Sequence, residues 1–176
     1  ACGGDPFCKL LGDYEGPEDI SLWRNGVALV SSDLFASTEA GAILAVTLNT
    51  KQPEVLPIAL DGVPDGFGFR PHGIFVDNAT QRLFVVSHSA LLQEESIVVF
   101  DIIAGEAGTP PSRLVFQFAL VSDKFGWFGM GKTWFLNDLV ATGPNELLTT
   151  QWGPQKIAGT KYFLWRCTWN VGDLRT

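Results

Sequence analysis

The chain has only two histidines, His72 and His88, and both bracket one short stretch, RPHGIFVDNATQRLFVVSH. An imidazole exchanges a proton near neutral pH, and a second one orients the first or relays its proton. Two more polar pairs stand at comparable places, Glu18-Asp19 ahead of ISLW and Asn137-Asp138 ahead of LVATG. Carboxylate and amide oxygens suit a hard cation such as calcium, which takes six to eight oxygens. Such a cation polarises a carbonyl, and a nearby imidazole activates water. Taken singly, each group has a plainer reading. The histidines bond to backbone at strand ends, Glu18-Asp19 is an acidic loop after Gly16-Pro17, and Asn137-Asp138 is a turn pair.

The elements that must position these residues read as strands. Helical periodicity is weak, and short apolar, β-branched and aromatic runs lie between Gly, Pro, Asn and Asp: VALVSS (27–32), AILAVTL (42–48), RLFVVSH (82–88), SIVVFDII (96–103), RLVFQFAL (113–120) and YFLWRCTW (162–169). The fold class is all-β. Three segments repeat one another, starting near 18, 72 and 137. Each has a polar residue, then Asp or Gly, then Ile or Leu, then an apolar hairpin. Asn25-Gly26 is a strong turn signal in the first. With two further strands after each of the first two hairpins, the unit is a four-stranded β-propeller blade. Residues opening the innermost strand of each blade converge on the axis. Glu18, His72 and Asn137 are therefore expected to face one another, with Asp19, Gly73 and Asp138 as a second layer. Buried carboxylates meeting there need a cation. With DNATQ as the loop, Val76 faces Arg82, His72 faces Val86, and His88 lies one diagonal step away on the same face.

The remaining motifs are weaker. Residues 126–133, GWFGMGKT, fit the phosphate-binding pattern G-x-x-x-x-G-K-[ST], with Lys132 as its lysine. That loop needs a buried strand before it and a helix after it. No α/β alternation surrounds it, so a Gly-rich loop between blades is expected. No G-x-S-x-G elbow is present, which argues against serine nucleophilic catalysis. The six tryptophans are read as packing. The three cysteines, Cys2, Cys8 and Cys167, have no zinc-type spacing. Asn78-Ala79-Thr80 is a glycosylation sequon in a turn, which suits a secreted protein. A net charge of −7 argues against nucleic acid or anionic lipid as partner, and no apolar run reaches the ~18 residues of a membrane span.

The pieces PEDISLWRNGVALVSSDL, GAILAVTLN, FRPHGIFVDNATQRLFVVSH and LNDLVATGPNELLTTQW, spanning most of residues 8 to 152, resemble the paraoxonase/arylesterase family. The resemblance implies a six-bladed propeller with two calcium ions in its tunnel and hydrolysis of aryl esters or lactones. It implies Glu18 and Asn137 as ligands of a catalytic calcium, and Asp19, Asp138 and the Ile74 carbonyl as ligands of a structural one. It implies His72 and His88 as the dyad that activates water, and Cys8 as the N-terminal half of a disulfide. The family's later ligands and C-terminal cysteine have no counterpart before Thr176, and the tail from Lys156 matches poorly. Residues 1–176 are thus expected to form a single partial propeller domain of about three blades, the N-terminal part of a longer secreted enzyme. The alternative is a non-catalytic interaction module with a weak calcium site. Unclosed blades leave edge strands exposed, so self-association is expected.

Overall fold

The computed structural model describes residues 10–12, 14, 16–24, 26–32, 41–89, 94–106, 109–121, 135–143, 145–152 and 162–168; of residues 89, 94, 121, 135, 151, 152 and 162–168 it describes the backbone alone. Among these there is no helix, and none therefore long and apolar enough to cross a membrane. The strands are β1 (Ile20–Leu22), β2 (Val27–Ser32), β3 (Ala42–Thr47), β4 (Val55–Pro57), β5 (Ala59–Asp61), β6 (Pro71–Asp77), β7 (Arg82–Ser89), β8 (Glu94–Ile103), β9 (Arg113–Val121), β10 (Phe135–Gly143), β11 (Glu146–Trp152) and β12 (Tyr162–Thr168). They form three sheets, ordered β1-β2-β3-β4, β5-β9-β8-β7-β6 and β10-β11-β12. The first two thus contain the expected four-stranded antiparallel meanders. The short strands β4 and β5 were not among the runs read from sequence. β5 adds itself to the second meander in parallel with β9.

The middle sheet is buried on both faces, which explains its unbroken apolar runs. Side chains alternate across a strand. Leu83 and Val85 of β7, with Val98 and Phe100 of β8, pack toward the first sheet against Trp23, Val27, Leu29, Ile43 and Ala45. Their neighbours Phe84, Val86, Ile97 and Val99 pack the other way, against Leu136, Leu139 and Leu147 of the third sheet. Each such side chain contributes roughly 1.5–3 kcal/mol by leaving water. Two layers of core therefore hold three sheets in a row, with β6 lying between β1 and β10.

Hydrogen bonds join the β6–β7 hairpin to β1 and the turn that follows it. Val76 N–H donates to Ser21 Oγ at 3.0 Å, and Asn78 Nδ2 donates to the Leu22 carbonyl at 3.0 Å. Gln81 Oε1 accepts from Arg24 at 2.6 Å and from the Trp23 indole at 3.3 Å. The β6–β7 loop is shorter than DNATQ, because Asp77 still pairs with Arg82. Asp77 then braces the loop, accepting from Ala79 N–H at 2.9 Å and Thr80 Oγ1 at 2.6 Å. Burial works against the charge, but these bonds and Arg82 outweigh it and hold the carboxyl below its usual range.

Near the loop the register is therefore one step from the one expected: Val76 faces Leu83 and Ile74 faces Val85. A bulge then intervenes, and Pro71 faces Ser87. His72 and Gly73 together oppose the single residue between, Val86. Both the expected register and the observed one are therefore used, one at each end of the hairpin.

Candidate functional site

The same irregularity recurs at each polar pair. In β10 the register slips between Leu136, which faces Gln151, and Leu139, which faces Thr149, so Asn137 and Asp138 form the bulge. Ahead of β1, Glu18 N–H donates to the Ser31 carbonyl at 3.2 Å, and Ser31 N–H donates to the Asp19 carbonyl at 3.1 Å; two residues again share one partner. A bulge kinks the strand and re-aims its side chains. It is the device that turns three polar pairs out of three otherwise apolar strands.

The first and third pairs are built alike. Asp19 N–H donates to Ser31 Oγ at 3.0 Å, and Asp138 N–H to Thr150 Oγ1 at 3.1 Å. Each aspartate then accepts from the next backbone N–H, Ile20 to Asp19 Oδ1 and Leu139 to Asp138 Oδ1, both at 2.7 Å. The middle pair carries Gly73 where the others carry aspartate. The N–H that follows it, Ile74, is served instead by the neighbouring strand: it donates to Asp19 Oδ2 at 2.7 Å. Glycine is required here for a second reason. A Cβ at Gly73 would lie 2.3 Å from the Asn137 carbonyl oxygen and 2.6 Å from Asp138 Cα.

The two histidines meet. His88 Nε2 lies 2.9 Å from His72 Nδ1, with ring centroids 4.9 Å apart. Each far nitrogen ends on a carboxylate: His72 Nε2 is 2.7 Å from Glu18 Oε1, and His88 Nδ1 is 2.6 Å from Glu95 Oε2. Glu95 Oε2 also accepts Leu136 N–H, at 3.1 Å, from the strand bearing Asn137-Asp138. The file Glu18–His72–His88–Glu95 thus crosses the inner end of the middle sheet from the residue ahead of β1 and is tied to the third sheet by Leu136. Glu18 is the open end, its side chain 39% exposed, whereas Glu95 is 16% exposed.

Hydrogen-bond bookkeeping limits the protons in this file. Three gaps need three protons. With both carboxylates ionised, two neutral rings supply two. One gap is then left without a proton, and where it is the Glu18 gap, His72 Nε2 becomes a free acceptor as the two part.

The other candidates fall as follows. Asn137 is exposed, with its backbone carbonyl against Gly73. Asp138 Oδ1 also lies beside the Gly73 position. Its carboxyl is held above the usual range, first by loss of hydration and then by repulsion from Asp19, against the Leu139 N–H bond and His72. Although the residue as a whole is exposed, its carboxylate is therefore partly desolvated and electrostatically uncomfortable.

Among the described residues, no three His, Cys, Asp or Glu side chains already converge as a cation site. In chemistry the donors fit calcium: Glu18, Asp19, Asn137, Asp138 and the Ile74 carbonyl offer oxygen only, and Asp138 is the group a cation would relieve. In number they supply part of the six to eight that calcium takes.

Sequence reasoning missed Glu95, Ser31 and Thr150. Cys2, Cys8 and the 126–133 stretch with Lys132 lie outside the described residues, as does the side chain of Cys167.

The sequence matches the arylesterase family over residues 3–156. It is 30% identical over 156 residues to serum paraoxonase/arylesterase 2 of Gallus gallus, covering 82% of this chain and 40% of that protein. To serum paraoxonase/arylesterase 1 of Rattus norvegicus it is 30% identical over 157 residues, again 82% of this chain and 40% of the relative. To serum paraoxonase/lactonase 3 of Homo sapiens it is 34% identical over 105 residues, 53% of this chain and 30% of the relative. The chain thus spans about 40% of the length of the first of these relatives. The matched range contains all three polar pairs, His88 and Glu95, and the chain belongs to the arylesterase family.

Proposed function

We propose that this chain carries the histidine pair and part of the calcium ligands of a calcium-dependent hydrolase of aryl esters or lactones, secreted as the serum relatives' names suggest. The observation that supports this is the file Glu18–His72–His88–Glu95, set beside two aspartates on adjacent bulges. His72 is the base and His88 its partner. Glu18 and Asn137 are assigned to a catalytic ion, and Asp19, Asp138 and the Ile74 carbonyl to a structural one. When bound, calcium polarises the substrate carbonyl. The chain's own task is to hold His72 by His88 while its Nε2 takes a proton from water. The three sheets are read as blades of one partial propeller over residues 1–176, of the six-bladed type.

The test is hydrolysis of a phenyl ester and of a simple lactone by the full-length parent, in calcium and in excess EGTA, with the same assay and calcium calorimetry on the 176-residue chain alongside. Turnover should vanish in EGTA and fall roughly 10²–10⁴-fold in His72→Gln. Turnover untouched by chelation rules the mechanism out. A second reading, an interaction module with a weak calcium site, is favoured by the lack of a ready cation cage among the described residues. Calcium binding without turnover supports that one.

Self-association is the proposed partner behaviour. β1 presents Ile20 and Leu22 to solvent at 60% and 63% exposure, and β10, on the far side of β6, presents Val140. Unpaired edges with apolar side chains are templates for association. Sedimentation velocity should show dimers or larger species that grow with concentration. A single monomeric boundary across a 20-fold range, roughly, contradicts it.

A further inference from the structure

Glu95 is unassigned by the reading above, and its place gives it a specific task. We infer that Glu95 is the positioning residue that sets the proton direction of the histidine pair, leaving the lone pair at His72 Nε2. The inference rests on the assignment of His72 as the base.

A carboxylate only accepts hydrogen bonds. Glu95 Oε2, 2.6 Å from His88 Nδ1, therefore demands that this nitrogen carry the hydrogen. A neutral His88 then has its lone pair on Nε2. That nitrogen, 2.9 Å from His72 Nδ1, can only accept, so His72 carries its hydrogen on Nδ1. His72 Nε2 is left unprotonated, which is the state a base needs. Glu18, at the opposite end, asks for the reverse order. With one proton in the 2.9 Å contact between the rings, the other satisfies one end or the other.

Exposure decides between them. The Glu95 side chain is 16% exposed and the Glu18 side chain 39%, and solvent weakens an exposed contact. Glu95 is held by a second donor, Leu136 N–H at 3.1 Å on the same oxygen. That N–H cannot reverse its role, so the atom facing both donors has to be an acceptor. Glu95 sits on β8 directly across from His88 on β7. Strand pairing thus aims it without help from a loop.

The experiment is ¹⁵N spectroscopy of the ring nitrogens in histidine-labelled chain at about pH 8, where the ordinary imidazole is neutral. Magic-angle spinning serves if the chain self-associates. With two histidines, assignment needs one variant of each. Wild type should show hydrogen on Nδ1 of both rings. Glu95→Ala should turn His88 over to hydrogen on Nε2, its usual preference in water. Glu95→Gln should keep the wild-type pattern, because Leu136 N–H holds the amide oxygen toward His88. Glu18→Ala should leave both rings unchanged.

Glu95 is not the determinant if Glu95→Ala leaves His88 as in wild type, if wild type carries hydrogen on Nε2 of either ring, or if Glu18→Ala reverses the file. A residue that merely fills space would shift the thermal midpoint and not the tautomers. The tautomers are read without any turnover. Absent hydrolysis therefore counts against the proposed function, and an unmoved tautomer counts against this inference.

Discussion

Gly73→Ala is expected to lower stability by about 3 kcal/mol, the upper part of the range for forcing an atom into packed space. The added Cβ would stand 2.3 Å from the Asn137 carbonyl oxygen and 2.6 Å from Asp138 Cα. Both obstacles are backbone, so no side chain can swing aside. Relief requires β6 and β10 to part at their facing bulges. The same movement would disturb the bond of Ile74 N–H to Asp19 Oδ2 and shift Asn137-Asp138, the proposed calcium donors. In a domain of this size the thermal midpoint should fall roughly 6–12 °C, and calcium affinity should fall with it. Gly143→Ala is the control. Its Cβ would meet nothing nearer than Glu146 Cβ at 3.7 Å, an ordinary contact. Equal midpoints for the two variants would show that the close approach of β6 and β10 is not a constraint.

Much of this arrangement could be read from residue order, and the rest could not, for identifiable reasons. The long apolar runs gave β2, β3, β7, β8 and β9 within a residue or two, because a sheet buried on both faces needs apolar side chains at every position. β4 and β5 carry three residues each with mostly exposed side chains, and exposed pairing leaves no apolar pattern. The repeat of polar pairs placed His72 beside Glu18 and Gly73 beside Asp138. It did not reveal the bulges, since an extra residue in a strand changes hydrogen bonding and not composition.

Glu95 lies just outside the apolar run SIVVFDII, which begins at Ser96, whereas the strand begins at Glu94. Extended by two residues, the run's alternation puts Glu95 on the face of Ile97 and Val99, opposite His88. A charged residue continuing an apolar face is a signal that could have found it. Ser31 and Thr150 had no such signal, because each acts on the backbone across its own hairpin.

Asp138→Asn is expected to reverse the stability order of variant and wild type according to whether calcium is present. In chelator the variant should melt higher. Asparagine keeps an oxygen for Leu139 N–H, the bond now 2.7 Å long, and removes the charge that burial and Asp19 disfavour. Because the Asp138 carboxyl is raised in the fold, its ionised form is the costly one. That cost is full above the raised pKa and fades as pH falls toward the ordinary carboxylate value. The advantage of the variant in chelator should therefore shrink on acidification through that window.

In calcium the order should invert. A cation bound to the folded state at about 100 times its Kd stabilises by about 2.7 kcal/mol. The neutral amide attracts calcium less than the carboxylate does, so the variant should forfeit most of that gain. A structural role for Asp138 without a cation predicts the same order in both buffers, and a purely destabilising substitution predicts a lower midpoint in both. Only a carboxylate that the fold tolerates poorly until a cation arrives gives curves that cross.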